Sequence, residues 1–225
     1  MKTFKLSPSD FGFLWEECKR CFYLKVARGF DRPPSPFPKI FNVIDKQMKE
    51  RFTDKRTETM APDMPPGVVY KSDEWVQSVP IELPGRSVSF YIRGIFDTTL
   101  ALDGGGYAVI DFKTSTIGPD NATKYARQLE AYALALERPA PGQLQLAPVK
   151  ELGLLVYEPT AFDQDGKGSA ALHGALVWIG VRRDGEKFLR FLDEVLGVLE
   201  LPEPPPPAPG CRLCQYRESA RRTGL

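Results

Sequence analysis

The first apolar pattern along the chain is helical. Phe11, Leu14, Trp15, Cys18 and Phe22 recur at spacings of three and four behind Ser7-Pro8-Ser9-Asp10, whose side chains suit a helix start. A proline-rich connector at 33–38 ends that run, and 40–52 carries a second helical pattern that includes Asp45. Residues 53–67 are polar and proline-containing, which predicts a mobile or exposed connection. From Val88 the period shortens to two. Residues 87–102 and 107–113 predict two strands joined as a hairpin at Asp103-Gly104-Gly105-Gly106. A helix is expected over 122–137, ended by Arg138-Pro139. Strands are expected over 152–157 and 172–181, then an amphipathic helix over 185–201 with Phe188, Leu189, Leu192, Val195, Leu196 and Leu199 inward. The proline run 202–209 predicts a stiff polyproline spacer.

The 225 residues are enough for one large domain, or for a domain with a small satellite. Hydrophobic residues at 42% and charged residues at 26% exclude a disordered chain, a collagen-like chain and a coiled coil. No apolar run reaches the length of a membrane span, and the first residues lack a signal-type hydrophobic stretch, so an intracellular, cytoplasmic protein is expected. The net charge of +1 hides an asymmetry. Residues 1–57 hold 13 Lys or Arg against 7 Asp or Glu, residues 211–225 hold 4 Arg against Glu218, and the middle of the chain is acidic. Two basic ends brought together would suit a polyanion such as nucleic acid.

Four cysteines give the ends a reason to meet. Cys18-Lys19-Arg20-Cys21 and Cys211-Arg212-Leu213-Cys214 are the only cysteine pairs, each with the spacing that lets two thiolates share an ion or cluster. Soft thiolate ligands suit zinc or an iron-sulfur centre, and four of them leave no open position for catalysis, so a structural clasp is expected. Closing it would gather Lys19, Arg20, Arg212 and Arg217 into one neighbourhood. The chain has no P-loop, GxGxxG or nucleophile-elbow motif. Its single histidine, His173, has no nucleophile near it in the sequence and is expected to be structural or at the surface.

The hairpin carries the sharper signal. With its turn centred near Gly104, Asp97 falls opposite Asp111, and like charges on facing strand positions are destabilising unless a positive charge lies between them. A divalent cation would resolve the conflict. Alternation puts Lys113 on the same face as Asp111, beside that cation, and the Phe112 carbonyl could complete the cation's shell. Hard oxygen ligands suit magnesium or manganese, which activate water and neutralise charge on a phosphate. The implied reaction is phosphodiester hydrolysis. An Asp-Phe-Lys tripeptide at an exposed strand edge is the plainer alternative.

These residues resemble the PD-(D/E)xK nucleases, in particular the RecB-like branch that includes the AddB nuclease domain and CRISPR-associated exonucleases. Gly94-Ile95-Phe96-Asp97 is similar to the family's GxxD, Asp111-Phe112-Lys113 to its DxK, and Gln128 with Tyr132 to its QxxxY, framed by the two cysteine motifs. The resemblance implies a restriction-endonuclease-like core over 68–201. A cysteine-bound lobe would be built from 1–57 and 202–225. It further implies a magnesium- or manganese-dependent deoxyribonuclease, an exonuclease on single-stranded ends, serving DNA repair, recombination or defence, with a helicase or recombination protein as partner. Gln128 and Tyr132 would position the nucleic acid or the lysine. Two departures stand out. Asp45 takes the place where such enzymes often present a histidine metal ligand. The cysteines divide two and two instead of one and three, with Ala220 where a last cysteine would stand; the resemblance still favours a [4Fe-4S] cluster, with zinc as the alternative. A DNA-binding subunit without cleavage activity is the alternative from another class, and a metal-stabilised interaction module a third.

Overall fold

The computed structural model describes residues 1–34, 36–118 and 120–224; Ser35, within the proline-rich connector, Pro119 and Leu225 lie outside the described residues. Strand β1 (Lys2–Leu6) opens the chain and leads into helices α1 (Pro8–Gly12), α2 (Leu14–Glu17), α3 (Lys19–Arg28) and α4 (Lys39–Phe52). Then come β2 (Gly67–Gln77), β3 (Ile81–Glu82), β4 (Val88–Leu102), β5 (Tyr107–Thr114) and α5 (Asp120–Glu137). The chain finishes with β6 (Val149–Gln164), β7 (Ala170–Val181), α6 (Gly185–Leu199) and α7 (Arg212–Arg222). The strands form one mixed sheet in the order β1-β4-β5-β6-β7, with β2 and β3 also paired to β4. β1 runs parallel to β4 and β5 parallel to β6, while the remaining pairs are antiparallel. The result is the expected α/β fold.

Strand β4 organises the sheet because its two halves have different neighbours. Val88–Ile92 pairs with β1, and β5 joins only at Thr98–Ala101. Along the edge away from β5, β2 pairs with Arg93–Leu102, and among the described residues it alone pairs with the stretch between the β1 and β5 contacts. The hairpin register is the one the turn predicts, since Thr98 faces Ile110 and Ala101 faces Tyr107. Alternation along β5 and β6 sends side chains to two apolar layers. The larger holds Phe11, Phe22, Phe96, Val109, Leu129, Leu154 and Leu192, and therefore joins α1, α3, α5 and α6 to the sheet. The smaller, on the other face, holds Leu100, Ile110, Phe112 and Leu155, with Met48 and Phe52 of α4 packed against it.

Several sequence expectations change. The helical run from Phe11 to Phe22 is divided at Phe13 and at Cys18, whose extended backbone (φ −165°, ψ 106°) turns its thiol inward before α3 begins. Residues 53–67 are not an exposed connection throughout. Thr57–Thr59 forms a 3₁₀ turn, the buried Thr57 hydroxyl accepts from the Gly67 N–H at 3.1 Å, and Met60, Ala61 and Met64 cover the smaller core. The polar composition of that segment concealed three apolar side chains with no helical or strand period. Strands β1, β2 and β3 were not anticipated: β1 is five residues long, and the alternation of β2 is interrupted by Lys71-Ser72-Asp73-Glu74. Strands β6 and β7 run past the core as a solvent-exposed ribbon, paired from Glu158↔Ala175 to Gln164↔Ala170. His173 lies on it, exposed as expected, 3.2 Å from Asp163. Among the described residues no helix is long and apolar enough to cross a membrane.

Gly94 marks where three elements press together. A Cβ there would lie 3.0 Å from Pro8 Cδ on α1 and 3.2 Å from Tyr132 Cε1 on α5. Both neighbours are held by packing, so they have little room to retreat. Gly94→Val is expected to destabilise the protein by about 1–3 kcal/mol. The measurement is a urea transition, in which the midpoint should fall at unchanged slope; an unchanged midpoint would show that the contact can relax.

Candidate active site and cysteine centre

Where β5 leaves β4, a side chain takes over from the backbone ladder. The last paired residue is Thr98, and the next one back, Asp97, accepts the Phe112 N–H on Oδ2 at 2.8 Å. The strands part at this point. Its other oxygen, Oδ1, faces Lys49 Nζ of α4 at 3.1 Å. That ammonium also meets Asp45 Oδ2 at 2.9 Å and Asp73 Oδ1 at 2.6 Å. Asp45 and Lys49 sit four apart on α4 and so share a face. Asp73 lies in β2 with a left-handed backbone (φ 55°), a conformation that aspartate tolerates better than most residues and that marks a constrained position.

Asp111 is deeply buried on the α5 side of the sheet. Its Oδ1 accepts from Gln128 Nε2 at 3.0 Å, and Lys113 Nζ lies against Oδ2. Lys113 is also 4.7 Å from the Tyr125 ring centroid, so α5 supplies both the amide and the aromatic surface around the pair. The Phe112 ring points the other way, edge-on to Phe52 at 6.4 Å, and its N–H is committed to Asp97. The facing carboxylates expected from the register are therefore present, but their repulsion is offset within the protein by two lysines. Asp97, Asp111, Lys113 and Asp45 come together as the sequence suggested. Lys49 and Asp73 were missed. The Asp45-to-Lys49 spacing could have revealed the first, whereas Lys71-Ser72-Asp73-Glu74 reads as ordinary surface.

Burial raises the Asp111 carboxyl to about 7, and the nearby Asp97 charge adds to the rise despite the opposing pull of Lys113. Burial works against the charge on Lys49, yet Asp97, Asp73 and Asp45 together hold it well above the usual lysine range. Asp45 is raised, chiefly by burial and against the hydrogen bond from Lys49. Tyr132 is pushed up by burial and then by the Asp111 and Asp97 charges, so it stays a phenol. Its hydroxyl donates to the Ile95 carbonyl at 2.6 Å, in the stretch of β4 between its pairing with β1 and with β5. Gln128 Oε1 is buried without a partner. Carboxylate oxygens grouped in this way, beside a buried acceptor that still lacks a donor, fit a hard divalent ion such as magnesium or manganese.

The cysteine pairs do meet. Sγ separations are 3.6 Å for Cys21–Cys214, 3.7 Å for Cys21–Cys211 and 3.9 Å for Cys18–Cys214, and all four ligand atoms lie within 4.8 Å of one another. The set is buried and suited to a metal. α3 ties the proline run beside it, with Arg20 donating to the Pro205 carbonyl at 3.2 Å and Tyr23 to the Leu201 carbonyl at 2.9 Å. Burial opposes ionisation of Cys18, but backbone hydrogen bonds from Ala208 and Cys21 outweigh it and lower the thiol to about 7. Burial raises Cys21 and Cys214. Arg32 donates to Cys211 Sγ at 3.5 Å and so supplies positive charge. The basic residues nearby are partly occupied: Lys19 lies over Trp15, and Arg217 over Phe30.

A mixed sheet with helices on both faces, and acids gathered where two central strands part, has the architecture of a restriction-endonuclease-like core. Residues 37–219 match the PD-(D/E)XK nuclease superfamily, and the chain belongs to that superfamily. The matched region contains Cys211 and Cys214 but begins after Cys18 and Cys21. Among solved structures, the chain is similar to one described as "Crystal structure of SSO0001", at a TM-score of 0.51 and 13% identity, covering 88% of this chain and 78% of that one. That likeness concerns the fold. No curated protein sequence matches the chain.

Two expectations follow from the site. Because the raised Asp111 proton must leave before a cation binds, manganese affinity should increase as pH rises through about 7, with proton release on binding. Calorimetry in buffers of different ionisation enthalpy reads that proton, and equal affinity at about pH 6 and about pH 8 would contradict it. Lys49→Met should destabilise the metal-free protein by about 1–3 kcal/mol, because three carboxylates lose their shared counter-charge. Magnesium should then raise the melting temperature of the variant more than that of the parent.

Proposed function

We propose that the chain is a divalent-metal-dependent deoxyribonuclease acting as an exonuclease on single-stranded DNA ends. The observation that carries this reading is the convergence of Asp97, Asp111 and Lys113 where β4 and β5 separate, in a chain of a nuclease superfamily. Magnesium or manganese bound there would activate water and offset charge on the scissile phosphate. Asp97 and Asp111 would hold that ion, with Asp45 and the Phe112 carbonyl as further ligands. Lys113, seated against Asp111, would orient the attacking water and donate to the phosphate oxygen that gains charge in the transition state. Gln128 fixes the Asp111 carboxylate from α5. Tyr132 fixes the β4 backbone at Ile95 and would act by positioning the strand that carries Asp97.

The cysteine centre is proposed to hold a single tetrahedral zinc ion in preference to the [4Fe-4S] cluster favoured by the resemblance. Four ligands at about 2.3 Å around zinc stand about 3.8 Å apart, close to three of the sulfur spacings, while all four sulfurs lie within 4.8 Å of one another. A four-iron cage would push the sulfurs further apart, because the cage itself lies between them. A second functional reading, a DNA-binding subunit that leaves cleavage to a helicase or recombination partner, draws on one observation: the Lys49 ammonium already stands among Asp45, Asp73 and Asp97.

End-labelled single-stranded and duplex DNA incubated with the protein in magnesium, manganese or EDTA separates the two readings. Metal-dependent shortening is expected, reduced by about 10²–10³-fold in Lys113→Ala. DNA binding with no cleavage under either metal would favour the subunit. Elemental analysis of protein purified without oxygen should give one zinc per chain and a colourless solution. A brown protein containing iron would restore the cluster.

A further inference from the structure

One exposed patch of the sheet has no part in the chemistry above. Trp75 on β2 stands directly opposite Ile95 on β4, and both are open to solvent, at 56% and 42% of their surface. Arg93 lays its guanidinium 4.9 Å from the Trp75 ring centroid. These residues are not on a frayed end. Val76, Ile92 and Phe96, which alternate with them along the same strands, are fully buried. A paired, rigid ladder therefore presents a tryptophan to water where folding does not require one.

The position of the patch points to its ligand. Trp75 lies two residues beyond Asp73, and Ile95 two residues before Asp97, the two carboxylates on the Lys49 ammonium. Two residues of strand span about 6.6–6.8 Å, comparable with two stacked base steps of about 3.4 Å each. A nucleotide whose phosphate lies at the carboxylates thus has a neighbouring base within reach of the indole. Paired bases bury their faces in the duplex stack, whereas an unpaired base offers a π-face that any aromatic side chain can accept. The site around the patch is acidic and would repel a phosphodiester chain, so Arg93 supplies positive charge where it is scarce.

We propose that Trp75, backed by Arg93, is a stacking platform for an unpaired base of single-stranded DNA beside the phosphate that a divalent ion at Asp97 and Asp111 would hold. The proposal rests on the nuclease reading and names the residues that would select single strands over duplex. The guanidinium takes one face of the indole and the base takes the other. Ile95 flanks the platform and limits water access to its edge.

The test uses the full chain with calcium in place of magnesium or manganese, so that the carboxylates are neutralised, and the DNA is checked to be uncut so that binding is read apart from cleavage. Trp15 is buried and Trp178 partly so, which leaves Trp75 as the tryptophan most exposed to a ligand. An oligothymidine should quench the tryptophan emission, and a blunt duplex of equal length should not. Trp75→Ala should lose that quenching and bind the oligothymidine about tenfold or more weakly by anisotropy, while Trp75→Phe keeps most of the affinity. Melting temperatures of both variants should match the parent. Equal single-strand affinity in Trp75→Ala, with metal-dependent cutting intact in the parent, would overturn the platform and leave the nuclease standing. The same result accompanied by lost self-association would reassign the patch to a protein contact. Absence of both DNA binding and cutting in the parent would overturn the two readings together.

Discussion

The site depends on a vacancy in the hydrogen-bond ladder. Strands β4 and β5 pair through Thr98 and Ile110 and then part, and the Phe112 N–H that would otherwise lose its partner is taken by the Asp97 carboxylate. A buried donor must be satisfied, so the separation and the placement of Asp97 are a single event. On the other flank of the gap, the Tyr132 hydroxyl satisfies the Ile95 carbonyl. Gly94 permits α1 and α5 to come close enough for that bond to form. The opening between the strands is thus lined by groups that the backbone itself requires.

Such a gap concentrates negative charge, and the protein balances it from two sides. Lys113 comes from β5 and lies on the α5 side with Asp111, while Lys49 comes from α4 on the other face and collects Asp45, Asp73 and Asp97. The two arrangements are unlike. Asp111 is buried, and burial together with the Asp97 charge raises its pKa to about 7. The Lys49 group is held by three carboxylates that remain partly open to solvent. An incoming cation would meet a shielded acid on one side and an ion pair already formed on the other.

Local signals made the centre of this molecule legible. Alternation and a glycine-rich turn set the hairpin register, and from the register came the opposition of Asp97 to Asp111 and the company of Lys113. The helix spacing of Gln128 and Tyr132 gave a shared face, although their hydrogen bonds to Asp111 and Ile95 needed the coordinates. What escaped is non-local. Strand β2 carries a polar run because Asp73 serves Lys49, and such a run cannot be told from surface before α4 is folded over it. Met60, Ala61 and Met64 have no period, so only the core they cover explains them. Cys18 broke its helix because its thiol is needed elsewhere.

A metal ion held by the four cysteines would join residues 18–21 to residues 211–214 and make most of the polypeptide a closed ring. In such a ring, the segment from Cys18 to Cys214 cannot open from its own ends, whereas residues 1–17 and those after Cys214 lie outside it. With that ion in place, α3 and the start of α7 would separate only if a thiolate left the metal, and Arg20 and Tyr23 hold the intervening proline run against α3. Within the ring, the ribbon formed by the outer parts of β6 and β7 is exposed and held chiefly by its own pairing, so local opening inside the closed segment is expected to be greatest there.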